Sequence, residues 1–259
     1  MSEYSHAMLR SVVLHDIDMD HVAAMEKWYW LHHSPEITRR FGPWEVRHDS
    51  YLPVDVPPEA RAFGFYNWRL TEGWWRVIPK FGPQGELSFT PPPIYPEVAA
   101  CFITWQPTND FKGWQVKPED KNVLRWFVMH RYPEGVSLEE GEDWFLNTHV
   151  PEVCQQRGLY RYFSSLTVPV KGGLPGTWAP GTEPPQGSVH VGWARVSELW
   201  YDNFADWRDS VIENPPEYTK PNWALSDQYP FMEPGKDFLS TFVLERPTDE
   251  FLRDARSYI

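Results

Sequence analysis

Two ten-residue strings, WYWLHHSPEI at residues 28–37 and WFLNTHVPEV at residues 144–153, share Trp, His and Pro-Glu at the same positions. Three more pairs of segments align in the same order: MLRSVVLH with VLRWFVMH, LTEGWW with VSELWY, and VAACFITWQP with FLSTFVLERP. The shift between partners grows along the chain, from 115 residues for the first pair to 140 for the last. Collinear matches indicate an internal repeat. We therefore predict a duplicated unit, with one copy in residues 1–120 and the other in residues 121–259.

Each copy carries the signals of a β-α-β-β-α-β unit. LRSVVLH and LRWFVMH predict first strands, and the helix that follows in the second copy begins with a capping box, Ser137 with Glu140. WEVRHDSYLPV and YRYFSSLTVPV predict second strands, FGFYNWRL and SVHVGWARV third strands, and AACFITWQ and LSTFVLER fourth strands. TEGWWRVI and SELWYDNFADWRDSVI predict second helices with Thr71 or Ser197 as the N-cap.

Such a unit has one sheet face covered by helices and one bare apolar face, which must pack against something. The predicted fold class is therefore α+β, with two tandem ferredoxin-like units packed sheet to sheet as a pseudo-dimeric α+β barrel. We expect the ligand between the two sheets. Two long, Pro-rich loops, residues 77–96 and 215–235, follow the predicted second helices, and we expect at least one of them to cover a cavity mouth.

Residues 127–165 of the second copy, FVMHRYPEGVSLEEGEDWFLNTHVPEVCQQRGLYRYFSS, resemble the EthD-like family of the dimeric α/β-barrel superfamily. Glu134 is inserted relative to the family pattern, and Tyr160 stands where a basic residue is usual. The resemblance implies a barrel enzyme from a superfamily that includes cofactor-free monooxygenases, lactone isomerases, polyketide cyclases and decarboxylases, and haem-binding enzymes. The matching positions are His130, Arg131, Pro133, Gly135, Ser137, Trp144, His149, Pro151, Gly158, Leu159, Arg161 and Tyr162.

Four histidines are candidate catalytic residues, because histidine is the natural general acid or base near neutral pH. His149 and His33 occupy equivalent places near helix ends, where they either catalyse or only pack at a helix–strand junction. His130 and His15 end the equivalent first strands, where they face either the barrel interior or water.

The candidate substrate-binding residues are of three chemical types. Arginine binds a carboxylate with two parallel hydrogen bonds, tyrosine donates to an enolate or phenolate oxygen, and tryptophan forms pocket walls. The residues are Arg161, Arg47, Arg195, Tyr160, Trp126 and Trp193.

Charge and motifs exclude several classes of function. The net charge of −12 disfavours nucleic acid as a partner. The first ten residues, MSEYSHAMLR, lack the apolar core typical of a signal peptide, and no apolar run reaches 18 residues, so we expect a cytoplasmic protein without a membrane partner. Histidine and cysteine spacings fit no metal site, and GxGxxG, P-loop and GxSxG motifs are missing from the sequence. We therefore expect no metal and no cofactor.

The sequence thus favours a cofactor-independent enzyme of aromatic-compound catabolism. We expect a histidine acid/base isomerase or lyase, or a hydrolase, acting on a small aromatic or ring-cleavage-derived carboxylic acid. Two alternatives stay open: a cofactor-free or haem-dependent monooxygenase, and a non-catalytic carrier of an aromatic ligand. The duplicated unit is compatible with a monomeric pseudo-dimer or with a homodimer.

Overall fold

The strands of this computed structural model follow the predicted apolar and aromatic runs. The structure describes residues 9–17, 19–41, 45–51, 54, 57–64, 68–75, 90–94, 97–104, 108–113, 123–168, 193–244 and 249–250. The strands in these residues are β1 (Leu9–Asp16), β2 (Glu45–Tyr51), β3 (Trp68–Trp75), β4 (Glu97–Thr104), β5 (Asn109–Lys112), β6 (Leu124–His130), β7 (Arg161–Val168), β8 (Arg195–Tyr201), β9 (Phe238–Leu244) and β10 (Asp249–Glu250).

The helices are short, and several are extended by 3₁₀ or π turns. The α-helices are α1 (Val22–Trp28), α2 (Ser34–Phe41), α3 (Leu138–Trp144), α4 (Val150–Val153) and α5 (Phe204–Arg208). The 3₁₀ segments are Met19–His21 and Pro58–Phe63. The π-helical turns are Tyr29–His33, Phe145–His149 and Asp209–Glu213.

Both halves of the chain have the same strand order. The first half is arranged β2-β3-β1-β4 and the second β7-β8-β6-β9, with every pairing antiparallel. This is the order of a ferredoxin-like sheet, which agrees with the predicted unit. The predicted boundary at residues 120 and 121 lies outside the described residues, so the domain division and its origin by duplication stay predictions.

Two short strands connect the sheets. After β4 the chain continues into β5, which pairs with β7, and after β9 it continues into β10, which pairs with β2. Strands β4 and β7 also pair directly, at Ile103 opposite Thr167. Because each unit reaches across to the second strand of the other, the two antiparallel sheets form an α+β barrel, as the fold class predicted.

The predicted starts of the second helices are wrong. Thr71 lies inside β3 and Ser197 inside β8. The sequence signal failed because Glu72 and Glu198, which resemble first-turn acids, are strand residues buried in an ion cluster. In the second copy the helix begins at α5, where Asn203 caps it by accepting from the Asp206 N–H at 3.0 Å. The equivalent part of the first copy, residues 76–89, lies outside the described residues, as does most of the predicted third strand SVHVGWARV.

Described side chains form a core between the sheets, and the ligand position expected there stays a prediction. An apolar cluster there joins both copies and consists of Val12, Leu14, Tyr51, Leu70, Phe127, Met129, Trp193, Val196, Leu239 and Val243. Beside it lie four buried charges from equivalent positions of the two copies, Arg10 and Arg125, Glu72 and Glu198. Arg125 contacts Glu72 at 3.1 Å and Glu198 at 2.8 Å, and Arg10 contacts Glu198 at 2.6 Å and also pairs with Glu72.

The largest core cluster lies on the outer face of the second sheet. Leu124, Trp126 and Val128 point to this face from alternate positions of β6, and they meet side chains of α3, α4 and α5. His130 has the same alternation and therefore faces the helices and not the barrel interior. The candidate site described next is on this helix-covered face.

Candidate functional site

A small cavity lies between the outer face of the second sheet and its helices. Its volume is about 20 Å³, which is room for about one water molecule. Most of its walls are apolar or aromatic, with a few polar side chains among them. The lining residues are Trp126, Val128, His130, Phe145, His149, Tyr162, Ser197, Leu199, Tyr229 and Phe238.

The π-helical turn Phe145–His149 places the first histidine. The N–H of Val150 donates to the carbonyl of Phe145, five residues earlier. A regular helix would bring the ring of Pro151 against the carbonyl of Asn147, and Pro151 has no N–H to donate, so the wider turn accommodates it. The turn also brings residues five apart onto one face. The His149 ring therefore stacks on Trp144, with centroids 4.9 Å apart and planes at 22°.

His149 is buried between aromatic rings. Tyr229 stacks on its other face at 5.6 Å and 21°. The Nδ1 atom of His149 has no hydrogen-bond partner among the described residues. Burial lowers its pKa to about 3, so the imidazole is neutral at physiological pH.

His130 reaches the same cavity from the end of β6. Its ring is 5.0 Å from that of Phe145 and 5.4 Å from that of Tyr132. Burial, followed by the proximity of His149 and of Arg195, lowers the pKa of His130 to about 3. Its Nε2 atom also lacks a hydrogen-bond partner among the described residues. Two neutral imidazoles therefore face one enclosed space.

Arg195, predicted to bind substrate, is engaged by a carboxylate beside the cavity. Its Nε and NH2 groups donate to Glu142 at 2.8 and 2.6 Å, and its guanidinium lies 4.8 Å from the centroid of the Phe145 ring. Tyr132 donates to the same carboxylate at 2.8 Å. Glu142 on α3 thus positions Arg195 next to His130, and the guanidinium does not line the cavity.

Tyrosine hydroxyls gather at one side of the site. Tyr201 donates to the Gln156 side-chain oxygen at 2.5 Å, and the Gln156 amide donates to the Tyr218 hydroxyl at 2.8 Å. Burial raises the pKa values of Tyr162, Tyr201 and Tyr229 above the usual value, and that of Tyr218 to about 12. These hydroxyls therefore stay protonated, and that of Tyr201 already donates to Gln156.

The first copy repeats the tryptophan–histidine stack. Its π turn Tyr29–His33 closes with the Ser34 N–H donating to the Tyr29 carbonyl, and Pro35 follows as Pro151 does in the second copy. The rings of Trp28 and His33 are 4.6 Å apart at 29°. His33 is half-buried, whereas the surrounding side chains of this copy are largely outside the described residues.

The other predicted site residues lie in different places. Arg161 points away from the cavity and lies 4.7 Å from the centroid of the Phe163 ring. Tyr160 packs against the cluster around Phe163, and Trp193 belongs to the core between the sheets. Trp126 lines the cavity as expected. The side chains of His15 and Arg47 lie outside the described residues.

Several site residues were not predicted. Ser197 was predicted to be a helix cap, and Phe145 and Phe238 were not among the candidate residues, yet all three line the cavity. Tyr229 comes from the long loop 215–235, which the sequence marked as a cover without indicating which aromatic side chain would enter the site. The composition of the loop predicted that it covers a cavity, but only its packing shows that Tyr229 contacts His149.

The described part of the chain has no group of three or more His, Cys, Asp or Glu side chains placed to hold a metal ion. Among the same residues, every helix is too short or too polar to cross a membrane.

A family model describing the chalcone isomerase N-terminal domain matches residues 6–88, about a third of the chain. The interpretation of the second copy as EthD-like is therefore wrong. Two of the residues that suggested this resemblance instead shape the turn between β6 and α3. Gly135 has a φ of 91°, and the Ser137 hydroxyl caps α3 by accepting from the Glu140 N–H at 3.1 Å. Comparison with curated protein sequences gave no match.

Solved structures give remote similarities. An "anthrone oxidase-like protein" is 11% identical, with 96% of this chain and 94% of that chain covered and a TM-score of 0.46. A "putative monooxygenase" from Lactobacillus acidophilus NCFM is 8% identical, with coverage of 95% and 94% and a TM-score of 0.37. Another from Fusobacterium nucleatum is 8% identical, with coverage of 79% and 80% and a TM-score of 0.33. Similarity this remote carries no conclusion about a shared reaction.

Proposed function

We propose that this protein is a cofactor-independent enzyme that moves a proton on a small aromatic compound, with histidine as the acid/base group. The main support is the arrangement of His149 and His130, two buried neutral imidazoles that line one aromatic cavity. Titratable groups whose pKa values are shifted this far, and which face a cavity, are typical of catalytic sites.

The chemistry follows from the protonation states. A neutral imidazole of His149 accepts a proton from a phenol or from a carbon next to a carbonyl group. Because burial lowers its pKa to about 3, His149 is a weak base in the closed site, and the transfer depends on stabilisation of the oxyanion that forms. The resulting phenolate or enolate oxygen is stabilised by the Tyr162 hydroxyl, which stays protonated because burial raises its pKa. The imidazolium then returns the proton at another carbon of the same molecule. The reaction is an isomerisation, in which no oxidant or co-reactant is consumed.

The walls favour a substrate without a carboxylate. None of the described residues that line the cavity is an arginine or lysine, and Arg195 beside it is paired with Glu142. Leaving a carboxylate uncompensated in an aromatic cavity is costly. We therefore infer a hydroxylated aromatic ketone or a similar phenol in preference to the ring-cleavage acid expected from the sequence.

The family match supports an isomerase in preference to a lyase or hydrolase. It falls on the first copy, whose His33 stacks on Trp28 as His149 stacks on Trp144. The proposal therefore includes His33 as the equivalent acid/base group of the first copy.

The test uses 2′-hydroxychalcone, whose ring closure to a flavanone is followed by loss of the chalcone absorbance. We expect turnover by the wild-type protein and a loss of at least about 100-fold in kcat/KM in His149→Asn, His33→Asn or both. His32→Asn is the matched control because His32 is exposed on the same π turn as His33. Full activity in both single variants and in the double variant would contradict the proposed role of these histidines.

Measuring oxygen uptake with an oxygen electrode distinguishes the oxygenase alternative from the proposed isomerase. Anthrone is the probe, in air and without added cofactor. Oxygen uptake with anthrone, together with an absence of chalcone isomerisation, would replace the proton-transfer proposal with an oxygenase. Binding of both probes without any turnover would indicate a carrier.

A further inference from the structure

Four aromatic rings pack in succession beside the cavity, and two of them, Tyr218 and Tyr229, come from the loop 215–235. The centroid separations are 4.9 Å for Trp144 and His149, 5.6 Å for His149 and Tyr229, and 4.1 Å for Tyr229 and Tyr218, with interplanar angles of 22°, 21° and 14°. Tyr218 also lies 6.3 Å from His149 at 35°, so the two tyrosines pack beside the histidine and do not continue one column. Tyr229 therefore covers the face of His149 that Trp144 leaves open.

Tyr229 occupies space that a substrate would need. The remaining cavity of about 20 Å³ is far too small for an aromatic ring, and Tyr229 is part of its wall. The phenol of Tyr229 is near the hydroxyls of Tyr218, Tyr162 and Tyr201, each of which contributes to its raised pKa. The position thus combines a flat aromatic wall for a ring with a hydroxyl-rich end for a phenolic oxygen.

The loop is fastened to the helix by two hydrogen bonds, which we call the clasp. The indole N–H of Trp144 donates to the Thr219 carbonyl at 3.1 Å, and the Thr219 N–H donates to Glu152 Oε2 at 3.0 Å. Thr219 is exposed, so both bonds can exchange with water. Each contributes about 1 kcal/mol at such a position.

The first copy has the same clasp. Trp28 donates to the Thr90 carbonyl at 2.9 Å, and the Thr90 N–H donates to Glu36 Oε2 at 2.9 Å. Trp28 and Glu36 are the counterparts of Trp144 and Glu152 in the repeated strings, and Thr90 belongs to the equivalent long loop. Thr90 and Thr219, from two loops of different sequence, are thus bonded in the same way to the tryptophan that stacks on each histidine.

We propose that Tyr229 holds the place of the ligand's ring on His149, and that a neutral phenolic ligand displaces it when the clasp opens. The ring of the ligand then stacks on His149 in place of Tyr229. Its hydroxyl faces the side of the site where Gln156 is hydrogen-bonded to Tyr201 and Tyr218. This inference rests on the proposed function, because the ligand is the aromatic substrate of the same cavity.

The experiment measures binding and not turnover. The probe is p-cresol, with toluene as the matched ligand that lacks the hydroxyl, and affinities are determined by isothermal titration calorimetry. Tyr229→Ala removes the competing ring, so we expect p-cresol to bind at least about tenfold more tightly than to the wild type. We also expect p-cresol to bind Tyr229→Ala more tightly than toluene does. Equal affinities for the two ligands would overturn the phenol assignment.

The clasp is tested without altering the cavity wall. Glu152→Ala removes one hydrogen bond of the closed state, so we expect about fivefold tighter binding of p-cresol. Glu139→Ala, at an exposed position in the first turn of α3, serves as the control. It is expected to leave the affinity for p-cresol at its wild-type value. Hydrogen exchange of the Thr219 amide should be faster with p-cresol bound, and unchanged exchange would overturn the displacement.

The two proposals fail separately. Phenol binding with the expected Tyr229 and Glu152 effects, but without turnover of any aromatic substrate, contradicts only the enzyme proposal. Conversely, the wild type could turn over substrate while Tyr229→Ala and Glu152→Ala bind p-cresol no more tightly than it does. That result would contradict only the displacement of Tyr229 by the ligand.

Discussion

At the scale of single residues, the unusual feature is the pair of buried imidazoles. His149 and His130 each have a ring nitrogen without a partner among the described residues. An unpartnered buried polar atom costs about 1–3 kcal/mol of folding free energy. Proteins tolerate such a cost where the atom is needed for binding or catalysis, which agrees with the proposed proton transfer.

The same pair makes stability depend on pH. In the unfolded chain these histidines take up protons near pH 6.5, whereas in the folded protein they do so only near pH 3. Stability is therefore greatest above pH 6.5 and falls as the pH decreases, by up to about 1.4 kcal/mol per pH unit for each histidine. Urea unfolding at about pH 7.5, 6 and 5 measures this loss before most carboxylates titrate.

Replacing His149 alone measures its contribution to the pH dependence of stability. His149→Phe should reduce the loss of stability between about pH 6 and 5 by up to roughly 1.4 kcal/mol. His32→Asn, at an exposed position, should leave the pH dependence at its wild-type value. A slope in His149→Phe equal to that of the wild type would show that His149 titrates normally in the folded protein.

The sequence identified these histidines only in part. His149 and His33 stood out because the repeated strings share them, and the structure places both on a tryptophan ring in a π turn. Local spacing did not show that His130 joins His149, since they come from different elements. Nor did it show that Tyr229 stacks on both His149 and Tyr218, because a contact made by a long loop has no periodic signal.

At the scale of elements, the helix before the π turn depends on a close approach. A Cβ on Gly141 would lie 2.4 Å from atoms of the Tyr132 ring. Tyr132 in turn donates to Glu142, which holds Arg195. The small residue in the middle of α3 is thus required by packing, although glycine weakens a helix by about 1 kcal/mol relative to alanine.

Gly141→Ala should therefore destabilise the protein. The gain in helix propensity is smaller than the cost of displacing the Tyr132 ring, and we expect a net loss of about 1–3 kcal/mol in the free energy of unfolding. In a Tyr132→Ala background the same change should have no cost or should stabilise, because the ring is gone. A similar cost of Gly141→Ala in both backgrounds would exclude the ring as the cause.

Elements also show where sequence signals compete. Ser137 was correctly assigned as a helix cap because the capping box depends on neighbouring residues only. Thr71 and Ser197 resemble caps equally well, but they lie in strands whose alternate residues, Glu72 and Glu198, enter the buried ion cluster. A Ser or Thr followed by Glu therefore fits either a helix start or a strand, and the partners of the Glu side chain decide between them.

At the scale of the whole molecule, the four-residue ion cluster joins the two sheets. Two arginines and two glutamates balance in charge, and each arginine contacts a glutamate of the other copy. Burial alone would raise the pKa of Glu198, but Arg10 and Arg125 outweigh it and hold the pKa below its usual value. The carboxylate therefore contributes stability above about pH 4.5, which is lost as the pH falls further.

Removing one carboxylate leaves an uncompensated arginine charge. We expect Glu72→Gln and Glu198→Gln each to lower the free energy of unfolding by about 3 kcal/mol, measured by urea denaturation at neutral pH. Because they share both arginines, the double variant should not show a simple sum. Glu213→Gln, whose ion pair with Arg208 is exposed, is the control and should cost less than about 0.5 kcal/mol. Costs this small at Glu72 and Glu198 would mean that the cluster does not hold the sheets together.

The sequence by itself determined the first, second and fourth strands, the helix with its histidine, and the pairing of two like units. These follow from periodicity, capping and repetition, which are properties of neighbouring residues. Only the tertiary structure decided that an apolar core and an ion cluster lie between the sheets, and that a cavity lies under the helices, with His130 and Tyr229 beside His149. It also decided that Arg195 is paired with Glu142. The physical reason is that both faces of each strand carry apolar and polar side chains, so the choice between them depends on partners far away in the chain.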